Sequence, residues 1–138
     1  MNNSMVFSYA ARLRKMGNDY ILSELGNAGL VDIVPSHGGI LLYLLEAGTL
    51  RMGELTRKVR RTKSTVTVLV AKLARAGYVE RRPDPADSRS TLVSLTEKGQ
   101  SLRPAFEAIS DGLDNMLRQR LSDGELAELS SLLKKAVS

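Results

Sequence analysis

Between Arg61 and Arg82 the chain reads RTKSTVTVLVAKLARAGYVERR, and apart from Glu80 the residues in it able to do chemistry are hydroxyls and cations. Lys63, Ser64, Thr65, Thr67, Lys72 and Arg75 lie with Ala71 on the polar side of a helical repeat, with no acid among them. Val66, Leu69, Val70 and Leu73 form the opposite stripe at i, i+3, i+4 and i+7. Such a polar side can lie against a polyanion and offer donors and acceptors to base edges while the stripe faces a core. Ser64, Thr65 and Thr67 are the expected readers of bases or phosphates. Lys63 joins them in the first turns, where the helix dipole also favours phosphate. Thr62 stands where an N-cap is wanted, and Gly77 where the chain leaves the helix through a left-handed residue. An ordinary solvated amphipathic helix has the same stripe, so the surroundings decide between the two.

The surroundings are basic. Between Arg51 and Arg89 there are eleven Lys and Arg against four Asp and Glu, a surplus of seven, whereas the whole chain of 138 residues carries +5. The remainder is therefore slightly acidic, and the charge gathers where the helical pattern is, as in a nucleic-acid binder. Arg51, Arg57, Arg60, Arg61, Lys72, Arg75, Arg81 and Arg82 are the candidate phosphate contacts. Aromatic residues make up only 4% of the chain, which leaves little for base stacking and argues for a duplex over a single strand. There is no cysteine, so disulfides, thiolate metal sites and thiol redox sensing are excluded. The single histidine, His37, lacks the second His or Cys that a metal or catalytic site needs. No nucleophile–base pair or phosphate-cradling glycine loop is readable, so neither enzymatic activity nor a cofactor is expected. His37, Tyr9, Tyr20 and Tyr43 are candidates to line a ligand pocket, although the tyrosines and Phe7 also suit a core. No run of eighteen apolar residues or secretory pattern is present, so no membrane partner and a cytoplasmic location are expected.

The elements that must position these groups follow from periodicity. Residues 5–25 predict a first helix long enough to leave apolar surface for a partner chain. Ser36 can cap a second helix through residue 47, apolar on every side between Ile40 and Leu45 and ended by Gly48. Gly38 and Gly39 in its first turn suggest close backbone approach. A short third helix over 53–59, with Met52 as a poor N-cap, a turn at Arg60 and Arg61, and the Thr62 helix make a helix-turn-helix. Residues 78–82 and 91–95 read as two strands around an eight-residue loop, PDPADSRS, which makes a wing. Thr96 caps a fifth helix, with a kink expected at Pro104, and Ser122 with Glu125 forms a capping box for the last. The expected division is a dimerisation helix over 1–30, a DNA-binding region over 31–98 and dimerisation helices over 99–138, in one compact domain.

The order of these elements, with Glu54-Leu55, Lys63 to Thr67, Leu73, Gly77-Tyr78-Val79 and Arg81, resembles the MarR family of winged helix-turn-helix transcription regulators. The wing run DPADSRSTLVSLTEKG is the most specific part. Asp87 and Arg89 are similar to the family's Asp-x-Arg motif, and Val93, Leu95, Thr96 and Gly99 to the V-x-L-T-x-x-G that follows. The resemblance implies a mainly α fold with a small antiparallel β-wing and a homodimer built on the N- and C-terminal helices. It also implies a pseudo-palindromic double-stranded operator as partner, repression in most members, and in many a small aromatic or phenolic effector that releases DNA. Arg89 is the expected minor-groove residue, where negative potential is focused. Asp87 is repelled by phosphate and is expected to pair with Arg89 or the wing backbone. Two positions depart from the pattern. Ser88 replaces the first Arg of the wing motif, and Val68 stands where Arg is frequent after Thr67, which would turn a polar contact into an apolar one, to a thymine methyl for instance. The same elements also admit a winged-helix protein-interaction module without specific DNA binding, which the cation surplus argues against.

Overall fold

The computed structural model describes residues 4–138. The chain forms two compact units, one running to Phe106 and the other Glu107–Ser138. In the first unit α1 (Ser4–Asn27) is followed by α2 (Pro35–Ala47), β1 (Thr49–Arg51), α3 (Met52–Val59) and α4 (Lys63–Arg75). A ribbon of β2 (Val79–Asp84) and β3 (Asp87–Leu95) comes next, then the single turn α5 (Glu97–Gln100), and α6 (Arg103–Arg118) begins before the unit ends. The second unit holds the remainder of α6 and α7 (Asp123–Val137), joined by a turn where the Arg118 guanidinium pairs with Asp114 at 2.5 Å and also with Asp123. The Ser122–Glu125 capping box forms as its residues require: Glu125 N donates to Ser122 Oγ at 3.1 Å, and Ser122 N to the Glu125 carboxylate at 2.9 Å.

The core of the first unit is built around α2. Ile40, Leu41 and Leu44 are essentially inaccessible, and α2 packs on α3, α4 and β3, whose Leu55, Val66, Val70, Leu73 and Val93 are buried as deeply. Each such leucine is worth about 2–5 kcal/mol against truncation to alanine. The all-apolar run of α2 is not buried on every side, because Leu42 faces outward. Nor do Phe7 and Tyr9 fill a core: at 80% and 57% they are among the most exposed apolar side chains of α1. The α2 N-cap is Val34, not Ser36, and Pro35 takes the first helical position, where its missing N–H would have had no partner in any case. No close approach occurs at Gly38 or Gly39; a Cβ on Gly38 would have nothing within 4 Å and one on Gly39 only a Val59 methyl at 3.9 Å.

The sheet has three strands in the order β1-β3-β2, all antiparallel, where the sequence suggested two. Three residues are too few for alternation to register, so β1 is invisible to periodicity, and Arg51, not Met52, is the residue that caps α3. The eight-residue loop is also shorter than expected. Asp84 pairs with Asp87 across a two-residue turn of Pro85 and Ala86, while Pro83 pairs with Thr91. Ser88, Arg89 and Ser90 are therefore extra residues on β3, a bulge at the ribbon tip. β2 is an edge strand and contains Pro83, which has no N–H to offer a neighbour.

Gly77 leaves α4 at φ +87°, as its position required. The carbonyls freed there are claimed by the start of α5: Thr96 Oγ1 donates to Gly77 O at 2.5 Å, Lys98 Nζ to Ala76 O at 2.6 Å, and Thr96 N to Tyr78 O at 3.0 Å. Gly99 lies against the same carbonyl, and a Cβ there would collide with Tyr78 O and meet Leu95 Cδ2 at 2.9 Å. A kink at Pro104 does not arise. The helix breaks at Ser101–Leu102 and α6 starts afresh, with Pro104 in its first turn, where it costs no hydrogen bond. Gly99→Ala should lower stability by about 1–3 kcal/mol in urea unfolding. A midpoint equal to that of the wild type would show that the junction yields freely.

Candidate nucleic-acid interface

The recognition surface begins at the turn before α4. Arg60 ends α3 in the left-handed region at φ +54°, a conformation that residues with a Cβ seldom adopt, so the turn is made by three residues, Arg60, Arg61 and Thr62. Thr62 caps α4: its hydroxyl accepts from Thr65 N at 3.2 Å and donates to Thr65 Oγ1 at 2.8 Å. Ser64 Oγ lies 3.2 Å from the same Thr62 oxygen. From there the helix presents Ser64, Val68, Ala71 and Arg75 outward along one line, opposite the buried Val66, Val70 and Leu73. Val68, the departure from the family pattern, is 54% exposed and sits mid-line, so the centre of the outward face is apolar.

On the wing side of that line, Lys63 and Thr67 of α4, Thr56 of α3, and Arg81 and Arg89 of the ribbon line one open cleft of about 450 Å³. Three cations border it and no acid does. The Thr67 hydroxyl already donates to Lys63 O, and that of Thr56 to Met52 O, both at 2.8 Å. Both hydroxyls are thus left as acceptors, which suits a base amino group better than a phosphate, and the anion-binding capacity of the cleft comes from its cations. Thr56 was not singled out in the sequence because the third helix was read through its apolar pair, Leu55 and Val59; a count of its polar face would have found it.

Arg89 stands on the bulge with its side chain 90% exposed. Asp87 Oδ1 accepts both the Arg89 backbone N–H at 3.0 Å and Nε at 3.3 Å, so the acid sets the arginine's direction, as its position suggested. At such exposure the pair adds little stability. Alternation along β2 separates the two arginines: Arg81 borders the cleft, whereas Arg82 lies on the other face and donates to Ser94 Oγ at 3.3 Å. Arg51 is held by Asp84 through Nε at 2.8 Å. Its charge lies against a carboxylate, whose pKa is lowered first by Arg51 and then by the Ala86 N–H. Ser88 borders a shallow recess at the ribbon tip with Arg82 and part of Arg81.

On the other flank of α4, Arg61 and Lys58 border a recess of about 250 Å³ with Ser36, Tyr43 and Leu69, and Lys58 Nζ stands 5.6 Å from the Tyr43 ring centroid. Lys72 and Arg75 are exposed on the last turn of α4. Of the four pocket candidates, Tyr43 lines this recess, Tyr9 lies exposed on α1, Tyr20 is half-buried on α1 and His37 is buried. His37 Nδ1 accepts the Val34 N–H at 3.4 Å, and Nε2 has no partner. Tyr78 OH donates to Asp32 at 3.0 Å, and burial followed by that bond pushes its pKa up to about 12.

A three-helix core with α3 and α4 across a tight turn and an antiparallel ribbon behind them is a winged helix-turn-helix. A family model described as the MarR family matches residues 31–90. The HTH-type transcriptional regulator YcgE of Bacillus subtilis (strain 168) is 32% identical over 124 residues, 89% of this chain and 80% of that protein. Among solved structures, a mutant MarR from E. coli complexed with operator DNA aligns with a TM-score of 0.86 at 24% identity, over 96% of this chain and 94% of that one. An S. aureus MepR–DNA complex aligns at 0.82 and 26% identity, over 99% and 97%. The chain belongs to the MarR family and is a transcriptional regulator.

Burial, and then the Lys72 charge, hold the His37 pKa below its ordinary 6.5, with Asp32 pulling the other way. The unfolded chain therefore takes up a proton first as pH falls, and folding stability should drop from about pH 6.5 downward until the folded imidazole is protonated too. Thermal melts from pH 7 to pH 5 should show this drop in the wild type and a flatter profile in His37→Gln; parallel profiles would refute it.

Proposed function

We propose that the protein binds duplex DNA sequence-specifically as a homodimer and represses transcription from a pseudo-palindromic operator, with a small-molecule ligand relieving repression. The observation that carries the DNA-binding reading is the single cleft where the recognition helix and the wing face each other across Lys63, Thr67, Arg81 and Arg89. One backbone strand fits there, with α4 in the major groove and Arg89 in the neighbouring minor groove. Ser64, Thr65, Thr67 and Val68 read bases, and Lys63, Arg60, Arg61, Lys72, Arg75, Arg81 and Arg82 take phosphates. Asp87 orients Arg89 beside Ser88. The operator- and DNA-bound MarR and MepR structures support this assignment by analogy of fold and family.

Residues 31–98 serve as the DNA-binding region, and 1–30 with 99–138 as the dimerisation segments. Apolar surface supports the latter: Met5, Val6, Phe7 and Tyr9 on α1, and Leu132, Leu133 and Val137 on α7, are exposed in the single chain. The protein acts as a regulator and not as an enzyme. No helix of the described residues is long and apolar enough to cross a membrane, which accords with a cytoplasmic site of action on DNA.

Binding to an operator duplex should weaken steeply with added salt, with a log–log slope near −0.9 for each phosphate neutralised. Arg89→Ala should cost about tenfold in affinity, roughly 1.4 kcal/mol, with the melting temperature unchanged. Fluorescence anisotropy over a salt series and sedimentation of the free protein test both halves. A monomer at micromolar concentration, or an Arg89→Ala variant that binds like the wild type, would refute the proposal.

A further inference from the structure

β1 pairs with β3 only as far as Arg51 opposite Leu92. Beyond that register, from Pro83 to Thr91, the wing is a two-stranded ribbon with a bulge, and an unsupported ribbon of this kind is only marginally ordered. The side chain of Arg51 continues where its strand stops. It crosses the middle strand to Asp84, which is 5% exposed at the root of the turn; Asp84 Oδ2 accepts Arg51 Nε at 2.8 Å and Oδ1 accepts Ala86 N–H at 2.9 Å. Arg51 is also the N-cap of α3, its own N–H donating to Glu54 at 3.2 Å. One guanidinium thus connects the first helix of the helix-turn-helix to the turn that precedes Arg89.

We infer that Arg51 is a positioning residue for DNA binding: by bracing Asp84 across β3 it holds the wing tip where Arg89 can enter the groove, and it does not itself take a phosphate. This rests on the DNA-binding reading above and adds to it a residue whose work is mechanical. The chemistry of the pair supports the role, because a buried carboxylate deprived of its cation and left beside Asp87 must move toward water, taking Ala86 with it.

The test compares the full chain with Arg51→Ala, Asp84→Ala and the double variant, on a duplex that the wild type has selected from a random-sequence pool. Affinity is read over a salt series, and amide hydrogen exchange is read without DNA. Each single variant should lose about tenfold in affinity, and the double variant no more than either. The salt slope should stay at the wild-type value, the loss should vanish in an Arg89→Ala background, and exchange over 86–90 should accelerate. Arg51→Met, which keeps the apolar reach over β3 without the charge, is read in the same way should Asp84→Ala fail to fold. A salt slope lowered by about one phosphate in Arg51→Ala, with Asp84→Ala binding as tightly as the wild type, would make Arg51 a phosphate ligand and overturn the inference. Unchanged exchange over 86–90 would overturn it as well. If the wild type retains no duplex from the pool, the proposed function falls, and the exchange comparison then decides the brace by itself.

Discussion

Where α4 ends, three successive carbonyls turn away from the helix, and each must find a donor. Those of Ala76, Gly77 and Tyr78 find theirs in Lys98 and Thr96, some twenty residues further along the chain. A buried carbonyl without a partner is expensive, so this exchange fixes where the ribbon returns to the body. The Tyr78 side chain extends the same junction to the connector between α1 and α2 through Asp32, and Lys98 stacks over its ring at 4.4 Å. The recognition helix, the ribbon and the start of α5 are referred to one short piece of backbone. The separation between α4 and the wing, and therefore the width of the cation-lined cleft, depends on it.

That cleft gathers like charges, which oppose the fold. Lys63, Arg81 and Arg89 face one another with no acid between them, and their repulsion is borne by the apolar contacts of Leu55, Val66, Val70 and Val93 beneath. The acids of the region are placed to direct cations. Asp87 turns Arg89, Asp84 engages Arg51, and both lie at the ribbon tip outside the cleft. The division is physically sensible, because an acid inside the cleft would repel an anion entering it, whereas an acid behind an arginine only sets its direction.

Much of this was legible in the residues, and what was missed has physical reasons. Caps with a dedicated side chain or a forced backbone sign were readable: Thr62, Gly77, Thr96 and the Ser122–Glu125 box stand where their chemistry placed them. The recognition helix was readable because its apolar stripe is long. The strand β1 was not, because three residues carry no period, and the Val34 cap was not, because valine has no side-chain acceptor to signal a helix start. The expected kink at Pro104 failed because proline suits a helix start as well as a bend. Of the site, the types and the side of each residue on α4 were legible. Which of Arg81 and Arg82 turns to the cleft and where the bulge under Arg89 falls depend on the register of β2 against β3, and the Asp84–Arg51 pair joins residues 33 apart, none of which a local pattern encodes.

The outer strand of the ribbon has one more consequence. Protruding β-edges are natural templates for zipping to a neighbour. Here the exposed rim runs Glu80, Arg81, Arg82, Pro83, with Pro85 just beyond: charge, then a residue with no amide hydrogen. Two such rims meeting side by side repel and find an interrupted row of donors. Copies of the protein can thus crowd together without their hairpins fusing into continuous sheet.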